Sequence, residues 1–321
     1  MVFLYFCTVK QTIEAKVKKI TVMKLVAVTG GLGNQMFCYA FMVRLSKGQR
    51  ARLFHPFGDR SERYGHAGFQ LDEVFNLRPE DKRCHPGITL FGAYWHFTRV
   101  FPKRMRPFLL RLAGMHEVRV AENFVFYPEV LQSLHRNELF MGTWQSQRFF
   151  EGAEADVRAA LTFKEELLNE PTRKLREEIT GCNSVSLHVR HDDYLSATYA
   201  QGFSGICTKA YYQNAIAFIK QKTVNPKLFV FSDDISWCRE NLDVGSAVFV
   251  DCNHGAESWQ DMYLMSCCKH NIIANSTFSW WGAWLNANPA KIVVAPDKWW
   301  NGLDDDVVPD TWTRIGSEDI F

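Results

Sequence analysis

Five short apolar runs in the second half of the chain constrain its fold more than any other feature. They cover residues 184–189, 227–231, 247–250, 271–274 and 291–296. Each has the length and apolar content of a buried strand. Helical patterns lie between them, as at residues 209–222 and 257–268. Strands that alternate with helices are typical of a parallel sheet, so the sequence predicts an α/β fold.

Polar side chains follow these runs at the point where each predicted strand ends. They are His188, Arg190, Ser232, Asp233, Asp234, Asn275, Ser276 and Thr277. In open α/β sheets, ligands bind outside the carboxyl ends of the strands. An arginine and a helix N-terminus suit phosphate groups, and a carboxylate such as that of Asp233 suits the N–H donors of guanine. The combination favours a nucleoside diphosphate as ligand.

The stretch at residues 270–285, HNIIANSTFSWWGAWL, is the most informative of these junctions. Its three N-cap residues precede an apolar and aromatic run that starts at Phe278, which predicts a strand, a tight turn and a helix. The turn would present hydroxyl and backbone N–H groups to an anion. The alternative is an ordinary capped helix that buries three tryptophans, and the spacing alone does not separate the two.

A second strand–loop–helix unit lies near the start of the chain. Residues 24–29 form an apolar run, and a glycine-rich loop at residues 30–34, with Gly31, Gly33 and Asn34, precedes a helical pattern at 35–46. Met36 occupies the place of the third glycine of a dinucleotide-binding fingerprint, which disfavours a nicotinamide cofactor. We expect the loop to let the backbone approach a ligand closely and to present the Asn34 amide. The alternative is that Asn34 is only a turn residue.

Composition sets the outer limits of the interpretation. The chain has 321 residues, of which 47% are hydrophobic and 22% charged, and this suits two globular domains. The net charge of +2 gives no general attraction to nucleic acid, and nine cysteines without a C-x-x-C pair argue against a zinc site or a disulfide framework. We predict an extension at residues 1–22, with a native start near Met23, a first domain at 23–165 and a second at 166–321. Missing targeting signals favour the cytoplasm.

Residues 99–120 carry six lysines and arginines against one glutamate, interleaved with apolar residues. This pattern is compatible with a surface that meets a membrane or an anionic lipid-linked substrate. It is equally the pattern of a solvated basic helix face, which is the more common case. Peripheral contact with the inner face of a membrane is therefore one interpretation of this segment.

Four motifs together resemble one known family. They are GGLGNQMF at residues 30–37, HVR at 188–190 with Asp193 and Tyr194, FSDD at 231–234, and NSTFSWWGAWL at 275–285. In order and spacing they resemble the α-1,2-fucosyltransferases of glycosyltransferase family 11. The resemblance implies a GT-B arrangement of two Rossmann-like domains facing a cleft, with the donor bound by the second domain and the acceptor on the side of the first. It also implies GDP-β-L-fucose as donor, inversion at the anomeric carbon, a galactose 2-hydroxyl as acceptor, and no metal or cofactor.

The chain departs from the family pattern at one place. The family reads His-x-Arg-Arg-x-Asp, often with glycine fifth, whereas here the second arginine is His191 and the fifth residue is Asp192. One positive charge near the pyrophosphate is therefore lost or made dependent on pH. The role that the second arginine has in the family, and the family's choice of acceptor, therefore cannot be assigned directly to this chain.

The chemistry suggests a role for each residue. Fucosyl transfer passes through an oxocarbenium-like state while the leaving β-phosphate gains charge. Arg190, with Ser276, Thr277 and the N–H groups that follow them, would stabilise that charge, and Asn34 would lie near the donor phosphate or the anomeric centre. The acceptor hydroxyl needs a base, for which His191, Asp192 and Asp193 are candidates. An alternative for Asp193 is that it orients Arg190 by an ion pair.

Other functions remain open from the sequence. A transferase of the same fold could use a different acceptor or donor. A metal-dependent transferase would need a D-x-D motif, which Asp304–Asp306 fit formally, but no predicted strand precedes them. A non-catalytic glycan-binding protein is compatible with the composition, but it would have no need for Arg190 beside a helix N-terminus.

Overall fold

The computed structural model describes residues 23–48, 50–55, 68–77, 94–95, 97–120, 123–132, 134–191, 202–302 and 305–319. The chain separates into two compact units, each with one sheet. The first unit runs to Glu122 and resumes at Phe126–Thr162, and the second holds Asn123–Val125 and Phe163–Phe321. The predicted extension at residues 1–22 lies outside the described residues. Among the described helices, none has the length and apolar character needed to cross a membrane.

The sheet of the first unit is parallel throughout. Its strands are β1 (Met23–Ala27), β2 (Ala51–Phe54), β3 (His116–Arg119) and β4 (Asn137–Met141). They lie side by side in the order β2-β1-β4-β3. The buried strand β1 pairs with β2 from Lys24 opposite Ala51 and with β4 from Met23 opposite Asn137. The chain proceeds from β1 to β2 on one side and then crosses to β3 and β4 on the other side of β1, so the switch in strand order falls between β1 and β4.

Four helices of the described residues accompany this sheet, and the first of them is almost wholly buried. They are α1 (Leu32–Ser46), α2 (Leu71–Val74), α3 (Arg106–Leu112) and α4 (Glu154–Ala160). Phe41 of α1 stacks on Trp144, with ring centroids 4.2 Å apart, and meets Phe140 of β4 edge-on. Because α1 is apolar on nearly every side, it forms the centre of the core of this unit rather than a solvated cover.

A buried ion pair holds the amino-terminal edge of the same sheet. The Lys24 ammonium group lies 2.8 Å from a Glu138 carboxylate oxygen, and both side chains are almost fully excluded from solvent. Lys24 also donates to the His135 carbonyl, and the other Glu138 oxygen accepts the N–H groups of Leu134 and His135. Each charge is therefore compensated by several partners, which is the condition for a buried pair to persist.

Removing one member of this pair should be costly. We expect Lys24→Ala to lower the free energy of unfolding by about 3–5 kcal/mol, because it leaves the Glu138 charge buried without its partner. The matched control is Lys47→Ala, which breaks a pair with Asp156 whose side chains are 43% and 59% exposed. An exposed pair contributes only about 0–1 kcal/mol. Urea denaturation measures both, and equal losses in the two variants would contradict the assignment.

The sheet of the second unit has six parallel strands. They are β5 (Ser184–Val189), β6 (Lys227–Ser232), β7 (Val248–Val250), β8 (His270–Ile272), β9 (Val293–Pro296) and β10 (Thr313–Ile315). Their order is β10-β9-β8-β5-β6-β7. Counted from β5 as the first strand, this is the 3-2-1-4-5-6 order of Rossmann folds. The predicted α/β class with two Rossmann-like parallel sheets is therefore confirmed.

The helices of the second unit are α5 (Glu170–Thr180), α6 (Lys209–Lys222), α7 (Ile235–Asn241), α8 (Trp259–Cys267) and α9 (Thr277–Leu285). The predicted strand–turn–helix at residues 270–285 is confirmed, with Ser276 as N-cap of α9. Trp280 and Trp281 of this helix are fully buried, and the Trp280 indole N–H donates to the Val307 carbonyl at 2.8 Å. Gly282 lets α9 approach α8, because a Cβ there would lie 2.9 Å from the Met265 side chain.

Candidate functional site

The carboxyl edge of the second sheet is where most of the predicted site residues come together. The chain leaves β5 toward β6 and β7, and later returns on the other side of β5 to form β8, β9 and β10. The strand order therefore reverses between β5 and β8. Connections on either side of such a switch point diverge, and the crevice they leave is the usual ligand site of an open α/β sheet.

His188 lies at the end of β5 and is only 4% exposed. Burial, and then the nearby Arg190 charge, lowers the pKa of its imidazole to about 3. The ring is therefore neutral at ordinary pH, and it lies 5.9 Å from the ring of Phe278 in the first turn of α9. Its Nδ1 atom is buried and has no hydrogen-bond partner among the described residues. An orphaned polar atom at this position is costly unless a ligand or water satisfies it.

Arg190 and His191 extend from β5 toward the loop that follows β6. The Arg190 Nε atom lies 3.4 Å from Asp233 Oδ2, with the two side chains 27% and 21% exposed. The backbone N–H of His191 donates to the other Asp233 oxygen at 2.9 Å. The carboxylate of Asp233 thus ties the ends of β5 and β6 together and orients the guanidinium group.

Asp234 holds the imidazole of His191. Its Oδ2 lies 3.1 Å from His191 Nδ1, and its Oδ1 accepts the N–H of Trp237 at 2.8 Å as the N-cap of α7. The His191 ring also stacks on the Trp237 indole, with centroids 4.5 Å apart and planes at 20°. Asp234 and Trp237 therefore fix the orientation of the His191 ring. Ser232 completes the turn by accepting the N–H of Asp234.

The predicted residues at the N-terminus of α9 divide into two groups. Ser276, Thr277 and Phe278 are half-buried, and the Ser276 hydroxyl accepts the N–H of Phe278 at 3.4 Å. Asn275 is instead 3% exposed, and its amide donates to the carbonyls of Phe203 and Trp299. Asn275 therefore fixes the turn from inside, while the next three residues are the ones that a ligand could reach.

In the first unit, Asn34 lies at the corresponding edge of its own sheet. The helix α1 begins at Leu32, so the expected glycine loop is shorter than predicted, and Gly33 and Asn34 belong to the first helical turn. Gly31 is the N-cap, and Gly30 has φ +75°. A Cβ on Gly30 would lie 2.4 Å from Asn34 Nδ2, so this close approach requires glycine.

Gln145 is the partner that holds Asn34. Its Nε2 donates to Asn34 Oδ1 at 2.9 Å, and its side chain is 7% exposed. The contact joins the ends of β1 and β4 across the switch point of the first sheet. The sequence offered no signal for this pair, because the two residues lie 111 positions apart.

Some predicted residues cannot be placed. Asp192, Asp193 and Asp304 lie outside the described residues, as does any contact between Asp193 and Arg190. Asp305, from the formal D-x-D motif, bonds to Arg314 at 2.9 Å and accepts the N–H groups of Trp299 and Val307. It therefore stabilises its own loop. Among the described residues, no group of three or more His, Cys, Asp or Glu side chains is arranged to hold a metal ion.

A buried carboxyl that the sequence did not indicate follows the same edge of the second sheet. Asp261 lies in the first turn of α8, and burial raises the pKa of its carboxyl from the ordinary value of 3.8 to about 7. Asn253 donates to Asp261 Oδ1 at 2.8 Å and accepts from Asn169 and Thr172 of the α5 N-terminus. This polar network joins the loop after β7 to α5 and α8.

Comparison with known proteins identifies the family. The model of glycosyl transferase family 11 matches residues 131–306, which is more than half of the chain. This chain belongs to glycosyltransferase family 11. The match includes the carboxyl ends of β5, β6 and β8, so the site residues of the second sheet lie within the matched part of the chain.

The relatives of this family 11 chain are sugar transferases. It is 32% identical over 296 residues to an Escherichia coli alpha-1,2-colitosyltransferase, which covers 89% of this chain and 96% of that protein. It is 30% identical over 304 residues to the Escherichia coli O-antigen biosynthesis glycosyltransferase WbnK, with 89% and 98% covered. A galactoside alpha-(1,2)-fucosyltransferase 1 of Ateles belzebuth is 30% identical over 148 residues, or 44% of this chain and 40% of that one.

Solved structures support the fold of the family 11 chain. The NodZ alpha-1,6-fucosyltransferase co-crystallised with GDP superposes with a TM-score of 0.52 at 16% identity, over 82% of this chain and 92% of that one. An Arabidopsis thaliana FUT1 mutant in complex with GDP gives a TM-score of 0.51 at 10% identity, over 90% and 76%. At these identities the likeness concerns the fold alone.

The Asp261 carboxyl should make stability depend on pH. Since its pKa is raised, the folded state holds the proton to higher pH than the unfolded state does, and stability falls as the pH rises from about 4 to about 7. Asp261→Asn removes this dependence while keeping an acceptor for Asn253. We expect its Tm to exceed that of the wild type by roughly 5–10 °C at pH 8 and to match it near pH 4.

Thermal unfolding followed by circular dichroism at several pH values measures this difference. The matched control is Asp251→Asn, in the loop after β7, whose side chain is 58% exposed. If the difference in Tm between Asp261→Asn and the wild type does not change with pH, the buried Asp261 carboxyl does not titrate as proposed.

Proposed function

We propose that this chain is a galactoside 2-α-L-fucosyltransferase, which moves L-fucose from GDP-β-L-fucose to the 2-hydroxyl of a galactoside with inversion at the anomeric carbon. The observation that carries the proposal is the convergence of an arginine, an orphaned buried imidazole and a half-buried helix N-terminus at one switch point. These are the groups that a nucleoside diphosphate needs. The names of the relatives, an alpha-1,2-colitosyltransferase and galactoside alpha-(1,2)-fucosyltransferases, support a deoxysugar and an α-1,2 linkage.

The leaving diphosphate is the centre of the proposed mechanism. As the glycosidic bond breaks, negative charge develops on the β-phosphate, and preorganised donors lower the barrier most when they are fixed before the reaction. Arg190 is fixed by Asp233, and the N–H groups of the first turn of α9 are fixed by the buried tryptophans of that helix. In this proposal the Ser276 and Thr277 hydroxyls and the Phe278 N–H complete the phosphate site. Asp233 acts by positioning Arg190, and a role in guanine recognition stays a prediction.

His188 and His191 have different roles in this proposal. His188 is neutral, so its Nδ1 can exchange a hydrogen bond with the donor nucleotide without adding charge. His191 stands where the family has a second arginine, and Asp234 fixes its orientation. A carboxylate-bound imidazole can act as a general base or, when protonated, as a cation beside the phosphates. Asp192, Asp193 and Asn34 stay predicted members of the site.

The same arrangement suggests how the proton and the charge are balanced without a resident metal or cofactor. The acceptor hydroxyl attacks the anomeric carbon, its proton passes to a base or to water, and GDP leaves with its charge neutralised by Arg190 and the helix dipole. No step requires a redox group. We therefore propose that the reaction proceeds in the presence of a chelator.

A second candidate is colitosyl transfer from a nucleotide-linked donor. The colitosyltransferase relative is 32% identical over 89% of this chain, a longer match than that of the mammalian fucosyltransferases. Colitose is fucose without its 3-hydroxyl, so both sugars would present the same leaving group to Arg190. A site that hydrogen-bonds the 3-hydroxyl rejects the deoxy analogue strongly, whereas an apolar pocket discriminates weakly.

The experiment that tests the proposal is transfer measured in EDTA with each donor in turn. GDP-fucose and GDP-colitose are incubated with lactose, and GDP release and the disaccharide product are followed. Faster GDP release with lactose, and a fucosylated product linked at the galactose 2-hydroxyl, is the expected result. Transfer from GDP-colitose alone would show that the donor is GDP-colitose and not GDP-fucose. Activity that depends on added Mg²⁺ would contradict the mechanism.

Substitution of Arg190 should affect chemistry more than folding. We expect Arg190→Gln to reduce the transfer rate by about 10²–10³, the usual effect of removing one preorganised donor to a developing charge. The matched control is Arg239→Gln on the exposed face of α7, whose guanidinium group stacks on Phe249 at 4.1 Å. Steady-state kinetics on both variants, with circular dichroism to verify folding, makes the measurement. A rate for Arg190→Gln within threefold of the control would remove Arg190 from the site.

His191→Arg restores the second arginine of the family pattern. Arginine carries a permanent charge on a planar group that donates to phosphate oxygens. If this position faces the diphosphate, the affinity of His191→Arg for GDP should exceed that of the wild type by about tenfold, the value of one charge-assisted hydrogen bond. Calorimetric titration with GDP measures this.

The matched control is His254→Arg, since the His254 side chain is 74% exposed and lies 3.7 Å from Asp251. If His191→Arg binds GDP no more tightly than His254→Arg and the wild type do, His191 acts as a base or a spacer and does not occupy the position of a second cation.

A further inference from the structure

One surface of the first unit exposes more large apolar side chains than the rest of the described chain. Eight large hydrophobic residues are exposed among the described residues, and five of them lie between residues 97 and 112. They are Phe97, Val100, Met105, Phe108 and Leu112, with exposed fractions of 48%, 81%, 39%, 60% and 50%. We call this surface the 97–112 face. Exposed apolar side chains grouped in this way mark an interaction site, whereas single ones do not.

The 97–112 face is held rigidly by the core of the first unit. Leu110 of α3 is fully buried in the cluster that includes Phe54 and Leu139. The Tyr94 hydroxyl donates to the Leu109 carbonyl at 2.6 Å, and the Arg106 guanidinium group lies 4.7 Å over the Trp95 ring. These contacts join residues 94–95 to α3, so the exposed side chains before and within α3 are carried by a segment that is packed on the core.

The charged residues of the segment itself all have one sign. Residues 99–116 contain five lysines and arginines and neither aspartate nor glutamate. Met105, Phe108 and Leu112 follow one another at the spacing of a single helix face, and the exposed Arg104 and Arg111, seven residues apart, lie along one side of this stripe. An apolar stripe bordered by arginines is the arrangement of helices that lie in the interface of a bilayer.

We propose that the 97–112 face binds the surface of an anionic lipid bilayer. Phe108, Leu112 and Met105 would enter the boundary between head groups and acyl chains, while Arg104 and Arg111 would meet the lipid phosphates. The backbone of α3 keeps its own hydrogen bonds at that depth, as an interfacial segment must. This inference goes beyond the proposed transfer reaction and does not depend on the identity of the donor.

A second copy of this chain fits the face less well than a bilayer does. In a symmetric dimer the same patch meets itself, so Arg104 and Arg111 of both copies would be brought into one interface without a carboxylate from the segment to compensate them. Like charges brought together at an interface oppose association. An anionic bilayer compensates these charges and covers the apolar stripe at once.

Vesicle flotation with the full chain tests the proposal. The vesicles are phosphatidylcholine alone or phosphatidylcholine mixed with phosphatidylglycerol, at about 10 mM salt, where the Debye length is about 30 Å. We expect the wild type to float with the mixed vesicles, to float much less with phosphatidylcholine alone, and to be partly released by salt. Protein that stays at the bottom of the gradient with mixed vesicles overturns the proposal.

Two double variants and two matched controls locate the surface. Arg104→Ala with Arg111→Ala should weaken binding to mixed vesicles by about 25-fold, at about fivefold for each charge. Phe108→Ser with Leu112→Ser should abolish flotation. The controls are Lys220→Ala with Lys222→Ala, which remove two exposed charges from α6, and Leu134→Ser with Val224→Ser, whose wild-type side chains are each 80% exposed. Both controls should float as the wild type does.

Equal losses of vesicle binding in the control variants would overturn the assignment of the surface. Binding would then depend on the protein's general charge or hydrophobicity and not on the 97–112 face. Sedimentation equilibrium without lipid tests the alternative occupant of the face, which is a second copy of this chain. A dimer that Phe108→Ser with Leu112→Ser dissociates would show that a second copy covers the face, and that result would also overturn the proposal. Circular dichroism verifies that each variant is folded, which is expected because every substituted side chain is exposed.

Discussion

The position of β5 between β6 and β8 is the constraint on which the candidate site depends. All six residues of β5 are buried, and both neighbouring strands run parallel to it. Their carboxyl ends therefore meet at one edge, and three segments that are far apart in sequence deliver their polar residues to the same place. The Arg190–Asp233 pair then fixes two of these ends to each other. Chemistry at this edge is a consequence of strand order more than of any single motif.

Much of the second unit could be predicted from its sequence, because short apolar runs and capping residues are local signals. The strand at residues 184–189, the helix at 209–222 and the capped helix after Ser276 are confirmed. What the sequence did not predict comes from long-range contacts. Asp233 supports Arg190 across neighbouring strands, and Gln145 holds Asn34 over 111 positions. The glycine loop was predicted too long because a helix can begin at Leu32 when Gly31 serves as its N-cap.

Two predicted site residues show how burial changes the interpretation of a motif. Asn275 and Ser276 are adjacent and both suit an N-cap, yet the first bonds inward to two carbonyls and only the second is accessible to a ligand. His191 shows the opposite case, since it departs from the family pattern but is held by Asp234 and Trp237 in a defined orientation. Its ring stands where the family pattern has the permanent charge of an arginine. That substitution is the feature of this chain that most distinguishes its site from the family pattern.

Hydrogen exchange in the presence and absence of GDP tests most directly whether the switch point of the second sheet is the donor site. We expect slower exchange at the amides of residues 188–191 and 276–279 when GDP is bound, because the diphosphate would contact the end of β5 and the first turn of α9. The amides around Asp305 should not change, because that carboxylate already bonds to Arg314 and to its own loop. GDP binding that leaves residues 188–191 and 276–279 unprotected would contradict the central claim.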